Sequence, residues 1–228
     1  MKILKIISVV LVVIAASLGL TVWIVSEPLP EGEQGPAAED LADKMLMAIN
    51  KPAYDSLTEL RWTFRGEHHY IWDKQANVVN VRWNDFEVDL DPGSLTGTAK
   101  KNEVLLDGAA HQQAIDKAWA FFANDSFWLV APYKLRDPGT SRSVVETTDG
   151  PALLVTYSSG GVTPGDSYLW ILDESGRPTS WKMWVSILPV KGLEFTWEGW
   201  TQYGGAWFAP DHQGPGPASV PLSNLAIR

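Results

Sequence analysis

The chain has 228 residues, enough for about one domain once an N-terminal segment is set aside. Its 18 Lys and Arg against 27 Asp and Glu give a formal charge of −9 with no basic stripe, which argues against a nucleic-acid partner. The absence of cysteine excludes disulfides, thiol catalysis, thiolate metal sites and lipid attachment through a lipobox cysteine.

Lys2 and Lys5 precede Ile6 to Val25, an uncharged and mostly apolar run of 20 residues. At 1.5 Å per residue such a run can cross a hydrocarbon core about 30 Å thick. A cleavable signal has a shorter apolar core followed by a small-residue site, whereas Ala15, Ala16 and Ser17 lie mid-run and are followed by LGLTVWIV, so residues 1–25 read as a retained signal-anchor. The lysines before the run and Glu27, Glu31 and Glu33 after it place the N-terminus in the cytoplasm. The expected location is the bacterial inner membrane, single-pass, with the body in the periplasm, or secreted if the segment is cut. Residues 26–36, SEPLPEGEQGP, read as a Pro/Gly/Glu linker, and 37–228 as the domain.

The domain opens with a predicted helix over Ala37 to Asn50, stopped by Asn50-Lys51-Pro52. Four strand-like segments follow: LRWTFR, HHYIWD, NVVNVRW and FEVDLD. In the first, Leu60, Trp62 and Phe64 alternate with Arg61, Thr63 and Arg65, the pattern of a sheet wet on one face. A weaker hairpin leads to a second amphipathic helix over Ala109 to Ala123, with Asn124 its C-cap.

From Pro151 to Trp200 the pattern changes. PALLVTYS and SYLWILD are apolar on both faces, and SWKMWVS nearly so, although the turns SSGGVTPGD and ESGRP make the sheet antiparallel. A second layer or a ligand must cover the other face. The loop SSGGVTPGD is longer than a tight hairpin needs and would form a rim at the mouth of a curled sheet. GLEFTWEGW and the Gly/Pro-rich tail are not assigned a place.

Polar candidates for chemistry are few. His68 and His69 are adjacent on a strand and point to opposite faces, so they cannot share a metal ion. His111 and His212 have no ligand spacing around them. Glu194 and Glu198 would stand roughly 13 Å apart along a strand, too far for a glycosidase pair. Ser158 and Ser159 lack a nucleophile elbow, and Asp149, Asp173 and Glu174 suit turns. The expectation is no enzyme, no metal and no cofactor.

The order of helix, meander, helix and further strands predicts an α+β domain whose large antiparallel sheet curls into an incomplete barrel with helices over the concave face. WTFRGEHHYIWD, NDSFWLVAPYKLRDPGTSR and SGGVTPGDSYLWILDESGRPTSWKMW, within Ala37 to Trp200, resemble segments of uncharacterised bacterial secreted or anchored proteins grouped near the LolA/LolB-like lipoprotein-sorting carrier superfamily. The resemblance implies an unclosed half-barrel with a helical lid that binds acyl chains. The tail AWFAPDHQGPGPASVP and the missing cysteine depart from that pattern, and none of Arg61, Arg65 or Arg82 aligns singly with the carriers' lid-locking arginine.

The resulting expectation is a binding protein for a lipophilic ligand, an acyl chain, lipid or lipoprotein, held at the inner membrane by its anchor. The expected wall is Trp62, Phe64, Tyr157, Trp170, Trp181, Met183 and Trp197. Two alternatives use the same residues: a carbohydrate or envelope-polysaccharide binder with exposed, coplanar indoles, and a structural envelope protein with a filled core.

Overall fold

Alternating apolar residues build the first sheet. In the computed structural model, which describes residues 26–228, β1 (Glu59–Phe64), β2 (His68–Asp73), β3 (Val78–Trp83), β4 (Phe86–Asp91), β5 (Thr96–Lys101) and β6 (Val104–Leu105) form an antiparallel meander. Leu60, Trp62, Tyr70, Val79, Val81, Val88, Leu90 and Ala99 are buried on its inner face. The turn between β3 and β4 needs a left-handed residue, and Asn84 supplies it at φ 46°. Within β5 only glycine fits at Gly97, where a Cβ would stand 1.9 Å from the Asp89 carbonyl oxygen.

The later strands, β7 (Thr140–Thr147), β8 (Gly150–Tyr157), β9 (Ser167–Leu172), β10 (Pro178–Trp184) and β11 (Leu193–Thr196), form a five-stranded antiparallel sheet in the order β11-β10-β9-β8-β7. The tail makes a small hairpin, β12 (Thr201–Tyr203) with β13 (Ala206–Phe208), and then β14 (Leu222–Ile227). That last strand completes the first sheet by pairing with β1. The expected α+β class holds, with large curled antiparallel sheets that do not close into a barrel. The strands are divided between a seven-stranded and a five-stranded sheet.

The first helix, α1 (Pro36–Ala48), buries Ala38, places Ala42, Met45 and Leu46 in the main core and lies on β7 and β8. Asn50 ends it and also caps α2 (Lys51–Ser56), accepting the Ala53 amide while in the left-handed region. The third helix, α3 (Gly108–Val130), runs seven residues beyond the predicted end at Ala123. Asn124 is therefore mid-helix rather than a cap. Phe127, Trp128, Leu129 and Val130 continue the apolar pattern, and Asp125 is held from outside the helix by Tyr70 and His68. Both predicted helices contribute to the core that the inner faces of the sheets share.

The two-faced strands have a physical cause. Leu153, Val155, Tyr157, Tyr168, Trp170, Trp181 and Met183 face the main core. Val145, Ala152, Leu154, Leu169 and Trp184 form a separate cluster on the outer face. Ser26 to Gly35 crosses that outer face. Glu27 bonds the Lys191 carbonyl through its amide, the Glu27 carbonyl accepts the Trp184 indole N–H, and Glu33 exchanges two 2.8 Å backbone bonds with Val144 on the edge strand. The segment read as a free linker is thus a strap, and its glycine is required. A Cβ on Gly32 would stand 2.6 Å from the Ser143 Cβ and 3.1 Å from Val145.

The predicted signal-anchor lies outside the described residues. Among the described residues, no helix is long and apolar enough to cross a membrane.

Candidate ligand cavity

Helical spacing makes one wall of a cavity. Trp119, Phe122, Ala123, Ser126, Phe127 and Val130 recur every three or four residues on α3 and so line a single stripe. The stripe faces the inner side of the second sheet, where Tyr157, Tyr168, Trp181 and Met183 project from three adjacent strands. Pairing fixes their neighbours: Trp181 stands opposite Trp170, and Met183 opposite Tyr168. The space between helix and sheet is a cavity of about 540 Å³, within the range of about 300–1,000 Å³ usual for ligand pockets.

The lining is aromatic and aliphatic. Phe127 packs edge-on to Tyr157 at 5.3 Å and lies 4.9 Å from Tyr168, while Trp128 meets Trp181 edge-on at 5.1 Å. Offset and edge contacts of this kind are favourable. Phe127 and Trp128 nevertheless stay only half-buried, because the cavity leaves one side of each without protein neighbours.

The lining also includes the polar residues Asn77, Asn124 and Ser126 and the ion pair of Lys134 with Asp137. The Tyr157 hydroxyl and the Trp181 indole N–H are buried with no hydrogen-bond partner. Burial holds the Tyr157 phenol far above its ordinary pKa, so it stays protonated and can donate. An unpaired buried donor costs about 1–3 kcal/mol.

The mouth is made by two loops. Ser159, Gly160, Gly161, Val162 and Thr163 line one side, and Val185, Ile187 and Leu188 the other. Buried Asp166 joins them, because its carboxylate accepts the Ser186 amide at 2.8 Å while its own carbonyl accepts the Tyr157 amide at 2.9 Å. The loop SSGGVTPGD therefore stands at the rim, where the sequence places it.

The expected wall residues are divided. Tyr157, Trp181 and Met183 line the cavity. Trp62, Phe64, Trp170 and Trp197 do not; they are buried in packed core, with Trp62 stacked on Tyr70 at 4.5 Å and Trp170 against Trp197 at 5.2 Å. Trp119, Phe122, Phe127, Trp128 and Tyr168 were not anticipated as wall. Tyr168 shares strand parity with Trp170 and was accessible to the same reasoning. Phe127 and Trp128 were hidden by the early helix end.

The histidines have structural partners. His68 Nδ1 lies 2.6 Å from Asp125 Oδ2, and His69 Nδ1 2.9 Å from Thr63 Oγ1. His212 donates from Nδ1 to the Thr196 carbonyl at 2.9 Å, and burial pushes its pKa down to about 4. Glu194 and Glu198 are exposed. Among the described residues no cluster of three or more His, Asp or Glu could hold a metal ion.

No protein-family model matches this chain, and no curated protein matches it. Among solved structures, the crystal structure of a DUF1329 family protein from Desulfovibrio piger is similar to 82% of this chain and 92% of its own, at 9% identity and a TM-score of 0.39. The cavity and its lining residues, rather than this likeness, carry the functional reading.

Proposed function

We propose that the protein binds a lipophilic ligand, an acyl chain or a molecule that bears one, in the cavity between α3 and the second sheet, and that the body works outside the cytoplasm at the membrane. The supporting observation is the cavity of about 540 Å³ walled by Trp119, Phe122, Phe127, Trp181 and Met183. Burial is the driving force. A chain of about fourteen to sixteen carbons at about 0.8 kcal/mol per CH₂ gives on the order of 10 kcal/mol before ordering costs. That suits reversible carriage. Met183 adds an adaptable surface.

The carbohydrate alternative needs exposed, coplanar indoles, whereas Trp62, Trp170, Trp181 and Trp197 are buried and the last three lie at angles to one another. The reading is tested by mass spectrometry of an organic extract of protein purified without detergent, together with titration by a fluorescent fatty acid. A stoichiometric lipid and saturable probe binding are expected. A clean extract with no probe binding would favour the structural alternative.

A further inference from the structure

We infer that the mouth of the cavity docks on the lipid bilayer that holds the N-terminal apolar run, so that ligand passes between membrane and cavity without crossing water. This rests on the lipophilic-ligand reading above. The argument starts from where the apolar run ends. Val25 is its last residue, and consecutive Cα atoms are about 3.8 Å apart, so Ser26 marks the position of the bilayer surface if the run spans. Ser26 is not at the end of a tether. Its hydroxyl accepts the Lys191 amide at 3.2 Å, and the Glu27 amide donates to the Lys191 carbonyl at 3.0 Å. The Glu27 carboxylate takes the Lys182 ammonium at 2.9 and 3.0 Å.

Lys191 belongs to the loop that connects β10 and β11, and the same loop carries Ile187 and Leu188 at the cavity mouth. Strap and mouth are thus one unit. Ile187 is 63% exposed and Val162, on the facing rim, 44% exposed. Both line the cavity, so the apolar surface is continuous from the mouth inward. The cation of this loop does not oppose insertion, because Lys191 Nζ donates to the Val185 and Leu188 carbonyls, and Lys134, which lines the cavity, is paired with Asp137. Apolar side chains held beside the point where the chain leaves a bilayer are stabilised by entering it.

The natural chain has no cysteine, so single cysteines report one position each. The full-length protein is reconstituted in vesicles of phosphatidylethanolamine and phosphatidylglycerol with an environment-sensitive dye at Ile187→Cys or Val162→Cys. Met47→Cys and Val104→Cys, both exposed positions away from the mouth, serve as references. Dyes at 187 and 162 are expected to shift to the blue and to lose emission when nitroxide-bearing lipid is added, while those at 47 and 104 do neither. Water-like emission at 187 and 162 would overturn the docking. So would a blue shift without nitroxide quenching, since protein rather than lipid would then cover the mouth. Fatty-acid uptake is measured on the same samples. Quenched dyes without uptake would support docking and remove the ligand reading, whereas uptake with unquenched dyes would remove the docking alone.

Discussion

The Tyr70 hydroxyl donates to Asp125 Oδ2 at 2.6 Å, joining the second strand of the first sheet to the middle of the helix that roofs the cavity. His68 Nδ1 lies 2.6 Å from the same oxygen, and Asn124 donates to Oδ1 at 2.8 Å. Asp125 is 2% exposed, and three partners compensate its desolvation. Removing it leaves Tyr70 and His68 with buried groups and no acceptor. Asp125→Ala is expected to cost about 3 kcal/mol, and Asp125→Asn about 1 kcal/mol, in urea unfolding. A loss below about 1 kcal/mol for the alanine variant would show that the cluster does not hold α3.

The pH dependence of stability should carry a contribution from His212. Its folded pKa is depressed to about 4 from an ordinary 6.5 by burial. Between these values the unfolded chain binds a proton that the folded protein refuses, so stability falls as pH is lowered through this window. The full effect is about 3 kcal/mol. His212→Gln should flatten the change in unfolding midpoint between pH 6.5 and 4, relative to the natural protein. Carboxylate effects are common to both and cancel in the difference. Equal slopes would contradict the assignment.

Trp170 and Met183 share the inner face of the second sheet but should respond differently to a charge. Trp170 is completely buried and outside the cavity, so Trp170→Asp is expected to unfold the protein, as an ionised carboxylate has no partner there. Met183 lines the cavity. Met183→Asp should retain the far-ultraviolet circular dichroism spectrum and lose fatty-acid binding by tenfold or more, about 1.4 kcal/mol or greater. A folded Met183→Asp protein with unchanged affinity would sink the cavity assignment.

The strap can be lifted at one position. Gly32→Val would push its side chain into Ser143 and Val145, and overpacking of this kind costs about 1–3 kcal/mol. Val145, Leu154, Leu169 and Trp184 should then become accessible. Increased fluorescence of a hydrophobic dye at unchanged secondary structure is the expected outcome; no increase would mean that the strap is not the cover of the outer face.

Local pattern was enough for much of the fold. Alternation in LRWTFR and FEVDLD and the Asn and Gly turns specify the meander, because strand period and turn chemistry act over a few residues. The apolar character of PALLVTYS and SYLWILD required cover on both faces, yet could not say what the cover was. Only the tertiary structure places the strap on the outer face, β14 beside β1, and Phe127 and Trp128 over Tyr157 and Trp181. Those choices depend on contacts between residues from tens to more than a hundred positions apart, such as Phe127 with Tyr157 and Glu27 with Trp184, and on a carboxylate at Asp125 satisfied from another element. Strand parity puts Trp170 and Trp181 on the same face with equal right, and it carries no information about where packing ends and a cavity begins. That boundary is set by how far α3 stands off the sheet, a distance that no residue encodes alone.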